Sequence, residues 1–178
     1  MIGNGNIKLD YWDSALASKL NEVRNHPDIM RWCRQHTLID DHNQKLWFEE
    51  QSEDPSIQMF VIRTQKKEGW WDSVGVCGLT DIDLIHRRAE FSCYTFPEQR
   101  LKGYCKKALE LLFYHGFNSF NLNLIWGETF RDNPAYEMFK KHLGMKYDGT
   151  RRKFYFKNGE YIDAHMLSIT AEEWRNRH

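Results

Sequence analysis

Gln99-Arg100-Leu101-Lys102-Gly103-Tyr104-Cys105 runs directly into Lys106-Lys107-Ala108-Leu109-Glu110-Leu111-Leu112-Phe113, and this stretch decides how the chain is read. It is a glycine-containing turn opening a helix. Cys105, Ala108, Leu109, Leu112 and Phe113 fall at spacings of three and four, so the helix buries one stripe while its first turn stays open. The first N–H groups of a helix lack intrahelical partners and carry the positive end of the dipole, which suits a phosphate group. Neighbouring lysines reinforce that preference. A glycine before a helix can also be a simple turn, so the surrounding elements must arbitrate.

Upstream, Val74 to Leu84 and Ala89 to Phe96 read as strands bounded by charge and glycine. Downstream come a strand from Asn123 to Glu128, a helix opened by Asp132-Asn133-Pro134, and a strand pair ending near Ile169. With these residues in place, the chain resembles the GNAT superfamily of acyl-CoA-dependent N-acyltransferases. That family's phosphate signature is Arg or Gln, two residues, Gly, one residue, then Gly or Ala; Arg100, Gly103 and Cys105 occupy those places, with Cys105 departing from the pattern. The resemblance spans about residue 6 to the end. It implies a single GNAT domain over residues 1–178, of mixed α/β (α+β) class. The expected sheet has six or seven strands, is mostly antiparallel, is flanked by helices, and holds acetyl-CoA in a cleft where strands splay.

The branch most similar to this chain contains ribosomal-protein N-terminal acetyltransferases and nucleotide-amino-sugar N-acetyltransferases of the pseudaminic acid type. Asn133 followed eleven positions later by Gly144-Met145, and the closing Glu173-Trp174, resemble that branch. Arg24-Asn25-His26-Pro27-Asp28 with Trp32, and the run from Asp81 to Glu90, resemble the amino-sugar enzymes within it. The implied acceptor is therefore a small-molecule amine, foremost a nucleotide-linked amino sugar, met by Arg24, Asn25, His26, Trp32, His42 and Arg88. Arg24 would hold a diphosphate, and an aromatic such as Trp32, Trp47 or Tyr94 would stack on the base or sugar. Read from the residues alone, Arg24 and Asn25 instead cap a helix ending before Pro27, and the tryptophans belong to the core. A peptide α-amine acceptor is the second reading, with Asp40-Asp41 and Glu49-Glu50 supplying an acidic groove. A catalytically silent acyl-CoA-binding module is the third.

Attack of a neutral amine on a thioester needs a proton acceptor, donors near the carbonyl and a tolerated thiolate. By resemblance Glu90 is the general base; the alternative is that it pairs with Arg87, Arg88 or another cation and only shapes the pocket. The family's usual tyrosine acid, seven residues after Asn133, is replaced by Lys140, leaving either Tyr136 as a substitute or no acid at all. Asn133 would contact the pantetheine arm, or else cap the helix that Pro134 begins. The implied cofactor contacts are Tyr94, Phe96, Arg100, Leu101, Lys102, Gly103, Tyr104, Cys105, Lys106, Asn133, Phe139 and Lys140.

Composition is consistent with one core: 178 residues, 41% hydrophobic and 15% aromatic. Lys+Arg 25 balances Asp+Glu 25, which argues against a nucleic-acid partner. No apolar run reaches the roughly 20 residues of a membrane span, and the polar start Met1 to Asn6 is unlike a signal peptide, so a cytoplasmic enzyme is expected. Cys33, Cys77, Cys93 and Cys105 lack paired spacing and are expected to be reduced; the eight histidines show no metal-ligand pattern, so no metal is expected. The chain further predicts a strand at Ile7 to Tyr11, helical segments from Ser14 to Arg34, and a helix from Asp41 to Ser52 capped by Asp40. Strands are expected at Ile57 to Thr64, Ser73 to Leu84 and Arg88 to Phe96. A hairpin turn is expected at Lys66 to Trp71, and another at Asn158-Gly159, an end through which a homodimer could form.

Overall fold

The fold is described from a computed structural model covering residues 2–67, 69–130 and 132–177. Eight strands form one sheet: β1 (Ile2–Asn4), β2 (Ile7–Asp10), β3 (Gln58–Lys67), β4 (Trp70–Asp83), β5 (Arg88–Thr95), β6 (Leu124–Phe130), β7 (Lys146–Lys157) and β8 (Glu160–Thr170). Their order is β1-β2-β3-β4-β5-β6-β8-β7. The expectation of six or seven strands is short by the edge strand β1, whose three residues are too few to carry an alternating pattern. The two hairpin turns form as expected, although Glu68 of the first lies outside the described residues. At the second, Asn158 and Gly159 take φ of 52° and 88°, the left-handed pair that a two-residue hairpin needs.

Among the described residues six helices cover the sheet: α1 (Ala17–Asn25), α2 (Pro27–Met30), α3 (Asp41–Glu53), α4 (Tyr104–Asn118), α5 (Ala135–Leu143) and α6 (Ala171–Arg175). The helical segments expected from Ser14 to Arg34 are three pieces that end at Met30. A 3₁₀ turn spans Ser14–Leu16, and α1 stops at Asn25 because Pro27 forces His26 out of the helical region, to φ −66° and ψ 129°. Asp40 accepts the Asn43 N–H at 2.8 Å and starts α3 where the sequence places it. Alternate residues of β3 divide the two faces: Phe60 joins the α4 core with Leu109, Leu112, Phe113 and Trp174, and Met59 joins Leu20 of α1 and Trp47 of α3. The α4 stripe is buried through Ala108, Leu109, Leu112, Phe113, Gly116 and Phe117. At the C-terminus, Thr170 and Glu173 form a reciprocal capping box that seats Trp174 against Phe113 and Phe117. Among the described residues no helix is long and apolar enough to cross a membrane.

One pairing positions everything that follows. All neighbours run antiparallel except β5 and β6, which are parallel and pair only through Arg88↔Leu124, Ala89↔Ile125 and Glu90↔Trp126. Beyond that point the strands part. The Phe91 ring lies over Gly127 at the fork, wedged edge-on against Phe113 and Phe139. A cavity of about 260 Å³ opens beyond it, with Ser92 to Thr95 on one wall and Glu128 to Phe130 on the other.

Candidate active site

The turn before α4 is built around two left-handed residues, Leu101 at φ 61° and Gly103 at φ 78°. Leu101 is fully exposed, so the turn holds a strained non-glycine residue without any burial to stabilise it. No side chain caps α4, which leaves its first N–H groups open. A second cavity, about 270 Å³, lies over this turn, lined by Leu101, Gly103, Tyr104, Cys105 and Lys106. It shares Thr95 and Cys105 with the first cavity, so a single groove runs from an anion-attracting helix start to the strand fork.

At the far end of the groove stand two buried carboxylates. Glu90, on the last paired residue of β5, is 3% exposed, and Glu128 is two residues beyond the pairing on β6, with its side chain 6% exposed. Arg34 lies between them: Nη2 is 2.6 Å from Glu90 Oε1, and Nε is 3.5 Å from Glu128 Oε1. Arg151 approaches Glu128 at 3.8 Å, and the Tyr155 hydroxyl donates to it. Burial raises the Glu90 carboxyl above its usual range. The Arg34 guanidinium opposes that rise, and the Glu128 and Asp81 charges add to it. Burial and the Glu128 hydrogen bond push the Tyr155 phenol up to about 12, so it stays a donor.

Arg34 reaches this position because its loop, between α2 and α3, is tied at both ends. Asn25 accepts the Ile39 N–H at 2.9 Å and donates to the Ile39 carbonyl at 2.7 Å; Lys157 donates to the carbonyls of Cys33 and Gln35. Asn25 thus anchors the loop. The other expected acceptor contacts divide similarly. Arg24 donates to Gln44 and lies over the Trp47 ring, and His26 accepts the Asp28 N–H at the start of α2. His42 is exposed on the first turn of α3 and lines none of the described cavities. Arg88 pairs with Asp83 at 3.4 Å, at the outer end of β5. Only Trp32 of that group lines the groove with Glu90.

The expected donor-side residues are mostly, though not wholly, where the cleft is. Tyr94, Arg100, Cys105, Asn133 and Phe139 line it, and Lys102 sits exposed at the turn beside Gln99. Phe96 is instead core, packed with Val23 and Ile29, because Pro97 turns the chain away from the sheet there. Lys140 is exposed on α5, with its ammonium over the Tyr136 ring. Tyr136 packs on His165 and is not part of the cleft wall. Asn133 combines both readings: its Oδ1 accepts the Ala135 N–H at 3.0 Å, and the residue lines the cleft. Of the cations considered for Glu90, Arg87 and Arg88 are committed to Asn121 and Asp83, and the pairing is made by another, Arg34. The residues missed are Arg34, Glu128 and Tyr155. Glu128 carries a weak sequence signal, an acidic residue on the strand beside Glu90; Arg34, 56 positions away from Glu90, carries none.

A sheet forked at its one parallel pair, an open helix start at one end of the fork and a buried carboxylate at the other define an acyl-CoA-dependent acyltransferase. The model of the acetyltransferase (GNAT) domain family matches residues 7–146, and the chain belongs to that family. It is an acetyl-CoA-dependent N-acetyltransferase. Among curated relatives, the spermidine N(1)-acetyltransferase of Vibrio cholerae is 26% identical over 157 residues, covering 80% of this chain and 88% of its own. That of Escherichia coli is 26% identical over 173 residues, covering 89% and 83%. A crystal structure of the Vibrio cholerae spermidine enzyme, with CoA and spermine, superposes with a TM-score of 0.88 at 21% identity, over 97% of this chain and 100% of that one. These two relatives are named for spermidine, and they do not support the expected nucleotide-amino-sugar acceptor.

Proposed function

We infer that this enzyme transfers the acetyl group of acetyl-CoA to a primary amine of an aliphatic polyamine, of the spermidine class. The observation that carries this reading is the paired carboxylates, Glu90 and Glu128, holding one guanidinium between them at the end of the donor groove. A site that retains an internal cation in this way suits a cationic acceptor, and the spermidine enzymes among the relatives act on a substrate of that chemistry.

In this mechanism the phosphates of acetyl-CoA sit on the first turn of α4, and the pantetheine arm follows the groove past Cys105 and Asn133 to the fork. Glu128 faces the acceptor's charged nitrogens. Glu90 accepts a proton from the reacting ammonium, so that the neutral amine attacks the thioester carbonyl. Its raised pKa makes it a better acceptor near neutrality than an exposed carboxylate. The new C–N bond forms, the tetrahedral intermediate collapses with cleavage of the thioester C–S bond, CoA leaves as a thiolate, and the proton shed by the amide nitrogen passes through solvent to that thiolate. A tyrosine acid from α5 has no part, since Tyr136 faces His165.

Release of free thiol from acetyl-CoA, with product mass, tests the reading against spermidine, spermine, a peptide α-amine and a nucleotide-linked 4-amino sugar. Turnover with the polyamines alone is the expected result. Turnover confined to the peptide or the sugar would refute it.

A further inference from the structure

Cys105 is the position at which the glycine turn departs from its family pattern, and its side chain has a partner. Its sulfur lies 3.3 Å from that of Cys93. Cys93 is on β5 and Cys105 is in the first turn of α4; both are half-buried free thiols. Both line the cavity that contains Glu90, and Cys105 also lines the cavity over the phosphate turn. The two sulfurs therefore stand at the neck of the donor groove, on opposite structural elements, already in contact.

We propose that Cys93 and Cys105 form a dithiol modification site, closed to an intramolecular disulfide by a two-electron oxidant and shielded when acyl-CoA fills the groove. A disulfide is roughly 2.0 Å long, so each sulfur moves by less than an ångström from its present 3.3 Å contact. In the reaction each thiol loses its hydrogen and the S–S bond forms. Two electrons and two protons pass to the oxidant: a hydroperoxide, whose O–O bond breaks to give water and an alcohol, or the azo compound diamide, which becomes a hydrazine. The attacking species is a thiolate. The hydrogen bond that the Cys93 thiol shares with Cys105 and burial both keep Cys93 protonated, so closure is slow near neutral pH and accelerates as pH rises.

The neighbours set the controls. Cys77 is the cross-strand partner of Cys93 and is fully buried, while Cys33 lines the other side of the cleft. The reduced full-length protein is treated with diamide, with and without acetyl-CoA, which has no free thiol to consume the reagent. The free protein is expected to lose two hydrogens, with Cys93 and Cys105 in one cross-linked peptide pair, and to regain them with dithiothreitol. Cys77→Ser should leave this bridge intact, whereas Cys105→Ser and the smaller Cys105→Ala should each abolish it. With acetyl-CoA at about ten times its Kd, roughly one protein in eleven has a free groove, and bridging should slow about tenfold. A bridge that persists in both Cys105 variants, no loss of hydrogens in the wild type, or an unchanged rate with acetyl-CoA would each overturn the proposal. No acceptor is present, so the outcome is independent of which amine the enzyme acetylates.

Discussion

Replacing Gly127 by alanine tests whether the fork between β5 and β6 depends on the Phe91 wedge. A Cβ at residue 127 would stand 2.3 Å from Phe91 Cε1, 2.9 Å from Cδ1 and 3.0 Å from Cζ, well inside ordinary carbon contact. The ring cannot yield easily, since Phe113 and Phe139 hold it edge-on with centroids at 5.4 and 5.0 Å. Overpacking of this kind costs about 1–3 kcal/mol, which for a chain of this length lowers Tm by roughly 2–4 °C per kcal/mol. The ring borders the cleft, which Phe91 and Phe139 both line, so displacement of the ring changes the cleft. Gly127→Ala should therefore raise the KM for acetyl-CoA as well as lower Tm, measured by thermal unfolding and thiol release on the same preparation. Phe91→Leu should recover part of both losses in the double variant, giving a favourable coupling between contacting sites. Wild-type Tm and KM in Gly127→Ala, or strictly additive effects in the pair, would refute the wedge.

The carboxylate end makes its own predictions. Glu90→Gln should lower kcat by about 10²- to 10⁴-fold while leaving the acetyl-CoA Kd unchanged, as expected for loss of a general base; equal loss of both would point to a structural role. Because Glu90 must be ionised to act, kcat/KM should rise with pH through its raised pKa, and Arg34 is the cation opposing that rise. Arg34→Gln should consequently displace the ascending limb toward higher pH, and a displacement toward lower pH would contradict the assigned pairing. Gly103→Val places a β-branched residue at φ 78°, with open space around its Cβ, so the fold is spared crowding but the turn is strained by about 1–2 kcal/mol. Weaker acetyl-CoA binding by calorimetry is expected, and unchanged affinity would remove the turn from the donor site. His42→Ala and Arg88→Ala, both outside the cleft, should leave polyamine kcat/KM within about twofold, as distant surface changes generally do.

What could be read from the sequence was local, and what could not was a matter of which distant segments meet. The α4 turn was legible because glycine, lysines and a helical stripe are contiguous, and the Asn158-Gly159 hairpin because two adjacent left-handed residues specify it. The fold class came from the family resemblance that the order of such units carries. The amino-sugar acceptor rested on Arg24, Asn25 and His26, whose hydrogen bonds run within the protein, to Gln44, Ile39 and the start of α2. Their effect on the site is indirect: Asn25 fixes the loop, and the loop delivers Arg34 to Glu90. That delivery also needs Lys157 from the β7–β8 hairpin, more than 120 positions away. No pattern of composition or spacing records such a three-way closure. The positioned cation and the second carboxylate are consequences of register at the fork: once β5 and β6 pair only as far as Glu90 and Trp126, Glu128 must fall on the opening wall, facing the same space as Glu90.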